Sequence, residues 1–219
     1  IFADELQGLL DLGAQNVTVT VEPAPAVTLA AVHHDYPGTH SADGLRLELG
    51  DLYAREPKPL LVELLAGDVV SDTHLLTLVV AGDVLTASGD VEHQVITLPV
   101  TLTAGEVMHV EPEVRREMLL LAAAQARRTA LDLRENGDYT AAADLLRATG
   151  ATLREAGLND AELMEEAADI TAMSEIAPAA FTMADAKYMY QRAYTSTSGR
   201  RSKSNLIRRR REEEEPPTA

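Results

Sequence analysis

The stretch from Val114 to Gly157 constrains the fold most strongly, because its hydrophobic pattern is helical and is interrupted only once. Apolar residues recur three and four positions apart on both sides of the interruption, as in amphipathic helices. The interruption is Asn136-Gly137-Asp138, where Gly permits a positive φ and Asp is a good N-cap. The stretch therefore predicts two antiparallel helices joined by a short turn.

The inward faces of these two helices follow from the 3.6-residue period. Pro112 is well placed in the first turn of the first helix. Its predicted contact face consists of Val114, Met118, Leu121, Ala122, Gln125, Ala126 and Leu133. That of the second helix consists of Tyr139, Ala142, Ala143, Leu146, Leu153 and Ala156.

The string ALDLRENGDYTAAADLL resembles one tetratricopeptide-type unit, but no second copy follows at a period of ~34 residues, so a solenoid is not predicted.

The residues before this stretch alternate with the two-residue period of β-strands. Six strands are predicted, separated by Gly, Pro and Asp turns, and they favour an antiparallel β-sandwich. They lie in the segments 16–22, 26–34, 45–49, 59–67, 74–82 and 93–105. Pro99 within the last strand indicates an edge position or a bulge.

The fold class predicted is therefore α+β: an antiparallel β-sandwich, a helical hairpin with a small helical bundle, and a disordered charged tail. Further helices are predicted at Asp160–Ile176, with Leu163, Ala167, Ile170 and Met173 or Ser174 inward, and at Met183–Tyr194. A short amphipathic helix is predicted over Ile1–Ala14. The predicted segments are a closing helix at 1–16, the sandwich at 17–110, helices at 111–194 and the tail at 195–219.

Charge and composition exclude several classes of partner. The net charge is −16, and residues 199–219 carry seven Arg or Lys against four Glu, so the body of the chain is more acidic than the total. An acidic body repels nucleic acid and anionic lipid, so neither is expected as the main partner. The chain has no Cys and no apolar run of the ~20 residues that span a bilayer, which favours a cytoplasmic location. It begins at Ile1 without a visible leader, which suggests a fragment of a longer protein.

Two sets of residues are candidates for metal sites. His33-His34-Asp35 with His40 is the most metal-like cluster, but adjacent residues of a strand point to opposite faces, so ordinary strand-end histidines are expected instead. The Gly-Asp pairs beginning at residues 50, 67, 82, 89 and 137 are expected to be turns rather than a calcium site, whose oxygen ligands must converge. No metal or cofactor is therefore expected.

The sequence does not predict an enzyme. Its Ser, Thr, His and carboxylate residues are not framed by a GxSxG elbow, a phosphate loop, HExxH or GxGxxG. The basic tail offers another class of function. Six hydroxyl residues near its Arg and Lys residues are candidate phosphate acceptors: Thr195, Ser196, Thr197, Ser198, Ser202 and Ser204.

The start of the chain, IFADELQGLLDLGAQNVTVTVEP, resembles the closing helix and last strand region of a bacterial von Willebrand factor type A (VWA) domain. The order of strands and the segment VEPEVRREMLLLAAAQARRTALDLRENGDYTAAADLL resemble the region after that domain in actinobacterial VWA-containing proteins. The resemblance covers nearly all of residues 1–194. It implies a protein-interaction module whose sandwich can be completed by strands that precede the VWA domain.

The same resemblance implies a Mg²⁺-dependent adhesion site built on a DxSxS motif, which is absent here and would lie upstream of Ile1. The resemblance therefore implies no metal ligand among the residues of this chain. We therefore expect a non-catalytic scaffold that positions a VWA domain and presents an acidic surface to a protein partner. The alternative is a signalling adaptor whose Ser/Thr/Arg-rich tail is switched by phosphorylation. Neither the partner nor the oligomeric state follows from the sequence.

Overall fold

The computed structural model describes residues 12–54, 57–67, 72–86, 89–102, 110–157, 159–177 and 182–199. They form two compact units that divide between His109 and Val110. The first unit holds seven strands in two antiparallel sheets, and the second holds four helices. The predicted combination of antiparallel β structure and helices is thereby confirmed. Among the described helices, none combines the length and apolar character that a bilayer crossing requires.

The seven strands are β1 (Leu12–Pro23), β2 (Val27–Val32), β3 (Gly38–His40), β4 (Leu45–Tyr53), β5 (Val62–Ala66), β6 (Thr73–Leu85) and β7 (Val91–Leu102). Five of them form one sheet in the order β3-β4-β1-β6-β7, and β2 pairs with β5 in a second sheet. The central strand β1 pairs antiparallel with β4 on one side and β6 on the other.

Alternation along the strands determines which face of the larger sheet is buried. Val19, Val21, Leu47 and Leu76 form the buried centre of this unit. Half-buried residues of β2 and β5, including Leu29 and Val62, pack against it from the smaller sheet. The intervening residues of each strand consequently point to the opposite face, which we call the outer face.

Two features of this unit differ from the sequence predictions. Residues 12–16, assigned to a closing helix, belong to strand β1, because Leu12 and Ala14 find pairing partners in β4. The rest of that predicted helix, residues 1–11, lies outside the described residues. Strand β3 was not predicted, since three exposed residues do not establish a period.

The second unit contains α1 (Pro112–Glu135), α2 (Tyr139–Ala156), α3 (Ala161–Ile176) and α4 (Met183–Thr197). Helices α1 and α2 meet at the predicted turn, where Gly137 has a φ of 80° and the Asp138 carboxylate accepts from the Ala141 N–H at 3.0 Å. Asp160 caps α3 in the same way, and Thr182 caps α4. Helix α4 continues through Thr197, so the tail predicted from residue 195 begins too early.

The helical core is built mainly from small and medium aliphatic residues. Its buried members are Leu120, Ala123, Ala130, Ala142, Ala143, Leu146, Leu153, Leu163, Ala167, Ile170, Ala177 and Met189. The predicted inward residues of α3 and most of those of α2 are buried. The face predicted for α1 is partly wrong: Val114, Met118, Ala122 and Gln125 are exposed, whereas Leu120 and Ala123 are buried.

Candidate functional site

The edge strand β7 exposes more large apolar side chains than any other described strand. It ends the order of the larger sheet, as the position of Pro99 predicts, so one side of its backbone has no strand partner among the described residues. Its exposed apolar residues are Val91, Val95, Ile96, Leu98 and Val100. A long apolar edge of this kind is a site for strand addition or aggregation.

Three of these residues continue the buried face of the sheet. Ile96, Leu98 and Val100 stand opposite Val80, Leu78 and Leu76 in the β6–β7 register. Leu76, Leu78 and Val80 belong to the buried cluster, yet Ile96, Leu98 and Val100 are 53%, 47% and 36% exposed. The buried face therefore ends at β6, and its continuation on β7 is left uncovered.

The outer face of the same sheet carries a half-open cavity of about 440 Å³. Its lining comes from four strands and consists of Asn16, Thr18, Thr20, Arg46, Val79, Ala81, Asp83 and His93. Strand β1 bulges at this cavity, because its pairing with β6 skips between Gln15 and Thr18. Gly82 lies below the bulge, and a Cβ there would come within 2.9 Å of Val17 Cγ2.

Asn16 forms the bulge in a left-handed conformation, with a φ of 53°. Its side-chain amide donates to Asp83 Oδ2 at 3.0 Å, and His93 Nδ1 lies 2.9 Å from Asp83 Oδ1. These two hydrogen bonds hold the pKa of Asp83 below its usual range, the bond from His93 being the larger cause. Because an ionised carboxylate only accepts, Nδ1 is the protonated nitrogen in this pair, and Nε2 is left to face other groups.

The residues of the candidate histidine cluster are not brought together as metal ligands. His34 is buried, where its Nδ1 accepts the Leu61 N–H at 3.1 Å and its ring stacks on Tyr36. His33 instead pairs with Glu63 at 3.2 Å, and His40 is exposed on β3. Asp35 follows His34 in the connection to β3. Within the part of the chain that the structure describes, no three His or carboxylate residues are grouped as metal ligands.

The Gly-Asp pairs occupy two kinds of position. Gly89-Asp90 and Gly137-Asp138 lie at turns, as predicted, whereas Gly50-Asp51 and Gly82-Asp83 lie inside β4 and β6, where the turn interpretation is wrong. Asp51 and Asp83 both contact Asn16, so two of these carboxylates do come close to one residue. Asp68 lies outside the described residues.

The predicted phosphate acceptors divide between α4 and the undescribed tail. Thr195, Ser196 and Thr197 belong to α4, and each hydroxyl donates to a backbone carbonyl of the preceding turn. Thr197 is also buried and accepts from Arg128 Nη2 at 2.7 Å. Ser198 follows the helix, while Ser202 and Ser204 lie beyond the described part of the chain.

The helical unit contains a buried ionic network that the hydrophobic pattern of the sequence does not predict. Arg127 is completely buried on α1 and pairs with Glu166 and Asp169 of α3. Arg192 of α4 reaches Glu166 at 2.9 Å, and the Tyr188 hydroxyl donates to Asp169 at 2.7 Å. The two carboxylates raise the pKa of Arg127 against the opposing effect of burial, which is the largest single cause. The network joins three helices.

The described fold resembles that of a protein with a VWA domain. The solved structure of the von Willebrand factor type A from Catenulispora acidiphila matches 92% of this chain with a TM-score of 0.58 at 14% sequence identity. The match covers 50% of that chain, so the present chain spans about half the length of this structural neighbour. No family model and no curated protein matches the sequence.

Proposed function

We propose that this chain is a non-catalytic interaction and scaffold region of a bacterial, cytoplasmic VWA-containing protein. The uncovered apolar row Ile96, Leu98 and Val100 is the observation that supports this function most directly. The likeness to the Catenulispora structure supports it at the level of the fold.

In this proposal the two sheets are the halves of one β-sandwich. The smaller sheet has two strands against five, and strands from elsewhere in the longer protein extend it over β7. Covering three half-exposed aliphatic side chains stabilises the assembly by about 3 kcal/mol. The sandwich then holds the VWA domain, while the acidic surface and the α1–α2 hairpin are presented to a protein partner.

The test measures binding of the purified chain to the separately expressed remainder of the same full-length protein, which in this proposal supplies both the added strands and the VWA domain. Ile96→Thr/Leu98→Thr removes apolar area from the uncovered row and keeps residues that favour strands. We expect this variant to bind at least tenfold more weakly, a loss of about 1.4 kcal/mol. Val95→Thr, on the outer face of the same strand, is the matched control and should bind like the wild type.

Two results contradict the proposal. One is equal binding by the inner-face variant and the control. The other is a full-length protein without a VWA domain and its DxSxS motif upstream of Ile1. Either result would leave the apolar row without the role assigned to it.

The alternative function is an adaptor switched by phosphorylation of the tail. Removing residues 200–219 leaves α4 intact, so partner binding can be compared with and without kinase treatment in both forms. A kinase-dependent change that disappears with the truncation favours the adaptor. Binding that is the same in all four conditions removes it.

A further inference from the structure

The cavity on the outer face has more unused hydrogen-bond donors than acceptors. Among the described residues, the Arg46 guanidinium and the Thr18 and Thr20 hydroxyls make no hydrogen bond or ion pair. His93 uses only Nδ1, in its contact with Asp83. The guanidinium and both hydroxyls can donate to a ligand that enters the cavity, whereas Nε2 of a neutral His93 ring that carries its proton on Nδ1 can only accept.

The one carboxylate of the cavity lining is already engaged. One oxygen of Asp83 faces His93 Nδ1 and the other accepts from Asn16. Because both of its oxygens already have partners, the Asp83 carboxylate is not the main acceptor that the cavity offers to a ligand. Arg46 thus remains the unpaired charge of the lining, within a chain of net charge −16.

The strand register places the donors next to each other. Arg46 stands opposite Thr20 in the β1–β4 pairing, and Thr20 stands opposite Val79 in the β1–β6 pairing. Thr18 stands opposite Ala81 one row further along the same face. On the other side of the two threonines, β6 contributes Val79 and Ala81 to the floor of the cavity, and their short side chains leave room for a ligand above them.

We infer that this cavity binds a small organic oxyanion, a carboxylate or a phosphate monoester with a compact apolar body. Arg46 pairs with the oxyanion, the two threonine hydroxyls donate to its remaining oxygens, and Val79 and Ala81 contact the apolar body. Planar guanidinium groups suit both carboxylate and phosphate, and a volume of about 440 Å³ is in the usual range of ligand cavities. The site lies on the face opposite Ile96 and Leu98, so it does not depend on the proposed scaffold function.

The neighbouring carboxylate Glu48 contributes to the charge balance of the site. It stands opposite Thr18 on the same face, outside the residues that line the cavity. Its repulsion opposes a doubly charged ligand more than a singly charged one. Glu48→Gln should therefore strengthen the binding of phosphates more than that of carboxylates.

The experiment is a titration of the full chain followed by the backbone amide signals in NMR. The probes are benzoate, phenyl phosphate and inorganic phosphate, which separate the contribution of the apolar body from that of the oxyanion. We expect the amides of Thr18, Thr20 and Ala81 to shift, with phenyl phosphate or benzoate binding more tightly than inorganic phosphate. Arg46→Gln should weaken binding at least about tenfold.

Three variants keep the outcome decisive. Arg115→Gln removes an exposed arginine of the helical unit and should not change the binding. Thr18→Val/Thr20→Val keeps the shape and strand preference of both side chains and should weaken binding without changing the thermal midpoint by much. The inference is overturned if no probe shifts these amides at about 10 mM, or if Arg46→Gln binds as the wild type does.

Discussion

At the scale of single residues, a close approach between two helices depends on Gly150. This glycine is buried where α2 crosses α3, and a Cβ built on it would lie 2.6 Å from Thr171 Oγ1 and 3.4 Å from the Ala167 carbonyl oxygen. The Thr171 hydroxyl is held by its hydrogen bond to the Ala167 carbonyl at 2.7 Å. The neighbouring helix therefore has little room to yield.

Gly150→Ala should consequently destabilise the helical unit although alanine is the better helix former. The gain in helix propensity is about 1 kcal/mol, and overpacking costs about 1–3 kcal/mol. Urea unfolding followed by circular dichroism measures the difference. In the double variant Gly150→Ala/Thr171→Ala the obstructing hydroxyl is absent, and the loss should shrink; an equal loss in both variants would contradict this explanation.

Arg127 gives a second prediction for a single residue. Arg127→Ala leaves Glu166 and Asp169 with one cation fewer in a buried site, and should lower the free energy of unfolding by about 3–5 kcal/mol. Arg147→Ala is the matched control, because Arg147 and its partner Asp144 are both largely exposed. Such surface pairs contribute about 0–1 kcal/mol. Equal losses in the two variants, measured by urea unfolding, would show that burial of the network adds nothing.

At the scale of elements, α4 begins with a capping box. The Thr182 hydroxyl accepts the Asp185 N–H at 3.2 Å, and the Asp185 carboxylate accepts the Thr182 N–H at 2.8 Å. The helix also contributes Met189 and Ala193 to buried positions. The start of α4 is therefore stabilised locally, before its packing on the other helices is considered.

Thr182→Ala should destabilise α4 by about 1 kcal/mol, since the variant loses the side-chain acceptor of the cap. Thr182→Ser keeps that acceptor and should be close to the wild type. Hydrogen exchange of the α4 amides measures the effect locally, where protection should fall first. Unchanged exchange in the alanine variant would mean that packing alone fixes this helix.

The elements also show what the sequence could predict. The inward faces of α2 and α3 follow from periodicity because each helix buries a narrow stripe that includes Leu146 or Ile170. Helix α1 contacts all three other helices, so its buried surface is too broad for a single stripe, and it includes a charged residue, Arg127. Polarity alone assigns such a residue to solvent.

The outer cavity could not be predicted for a related reason. Asp83 and His93 are ten positions apart, and they meet only because the β6–β7 register places them opposite each other. Asn16 joins them through a bulge with a positive φ. Asparagine tolerates that conformation better than most residues, but this preference alone does not locate a bulge inside a strand. The alternation of Val17, Val19 and Val21 gave the strand but not the irregularity at its start.

At the scale of the whole molecule, the pH dependence of stability has contributions from both units. Hydrogen bonds lower the pKa of Asp83 in the sheet unit, chiefly the bond to His93, and that of Asp185 in the helical unit, chiefly the bonds to Thr182. A lowered pKa contributes stability that is present above the ordinary value of 3.8 and is lost as the pH falls through the folded value. Stability should thus decline in acid below about pH 4.

On the alkaline side, stability should fall as the pH rises. Burial, followed by the hydrogen bond to Asp169, raises the pKa of Tyr188, so its contribution is complete below the ordinary value of 10.0 and is lost as the pH rises through the folded value. Urea unfolding across the pH range tests both limbs. Asp83→Asn should flatten the acid limb and Tyr188→Phe the alkaline limb; limbs that keep their slopes would show that other groups govern them.

Asn16 has a consequence for how the sheet forms. Its backbone N–H points to Asp51 Oδ1 on β4 at 3.4 Å, and its side chain bonds Asp83 on β6, so one residue touches both neighbours of the central strand. A slip of β1 by one residue against either neighbour would turn its valines toward solvent and break a contact of Asn16 at the same time. Misaligned folding intermediates are therefore penalised twice at this position. Once the correct register has formed, the sheet should also unfold slowly, because unfolding must break the Asn16 contacts with both neighbouring strands.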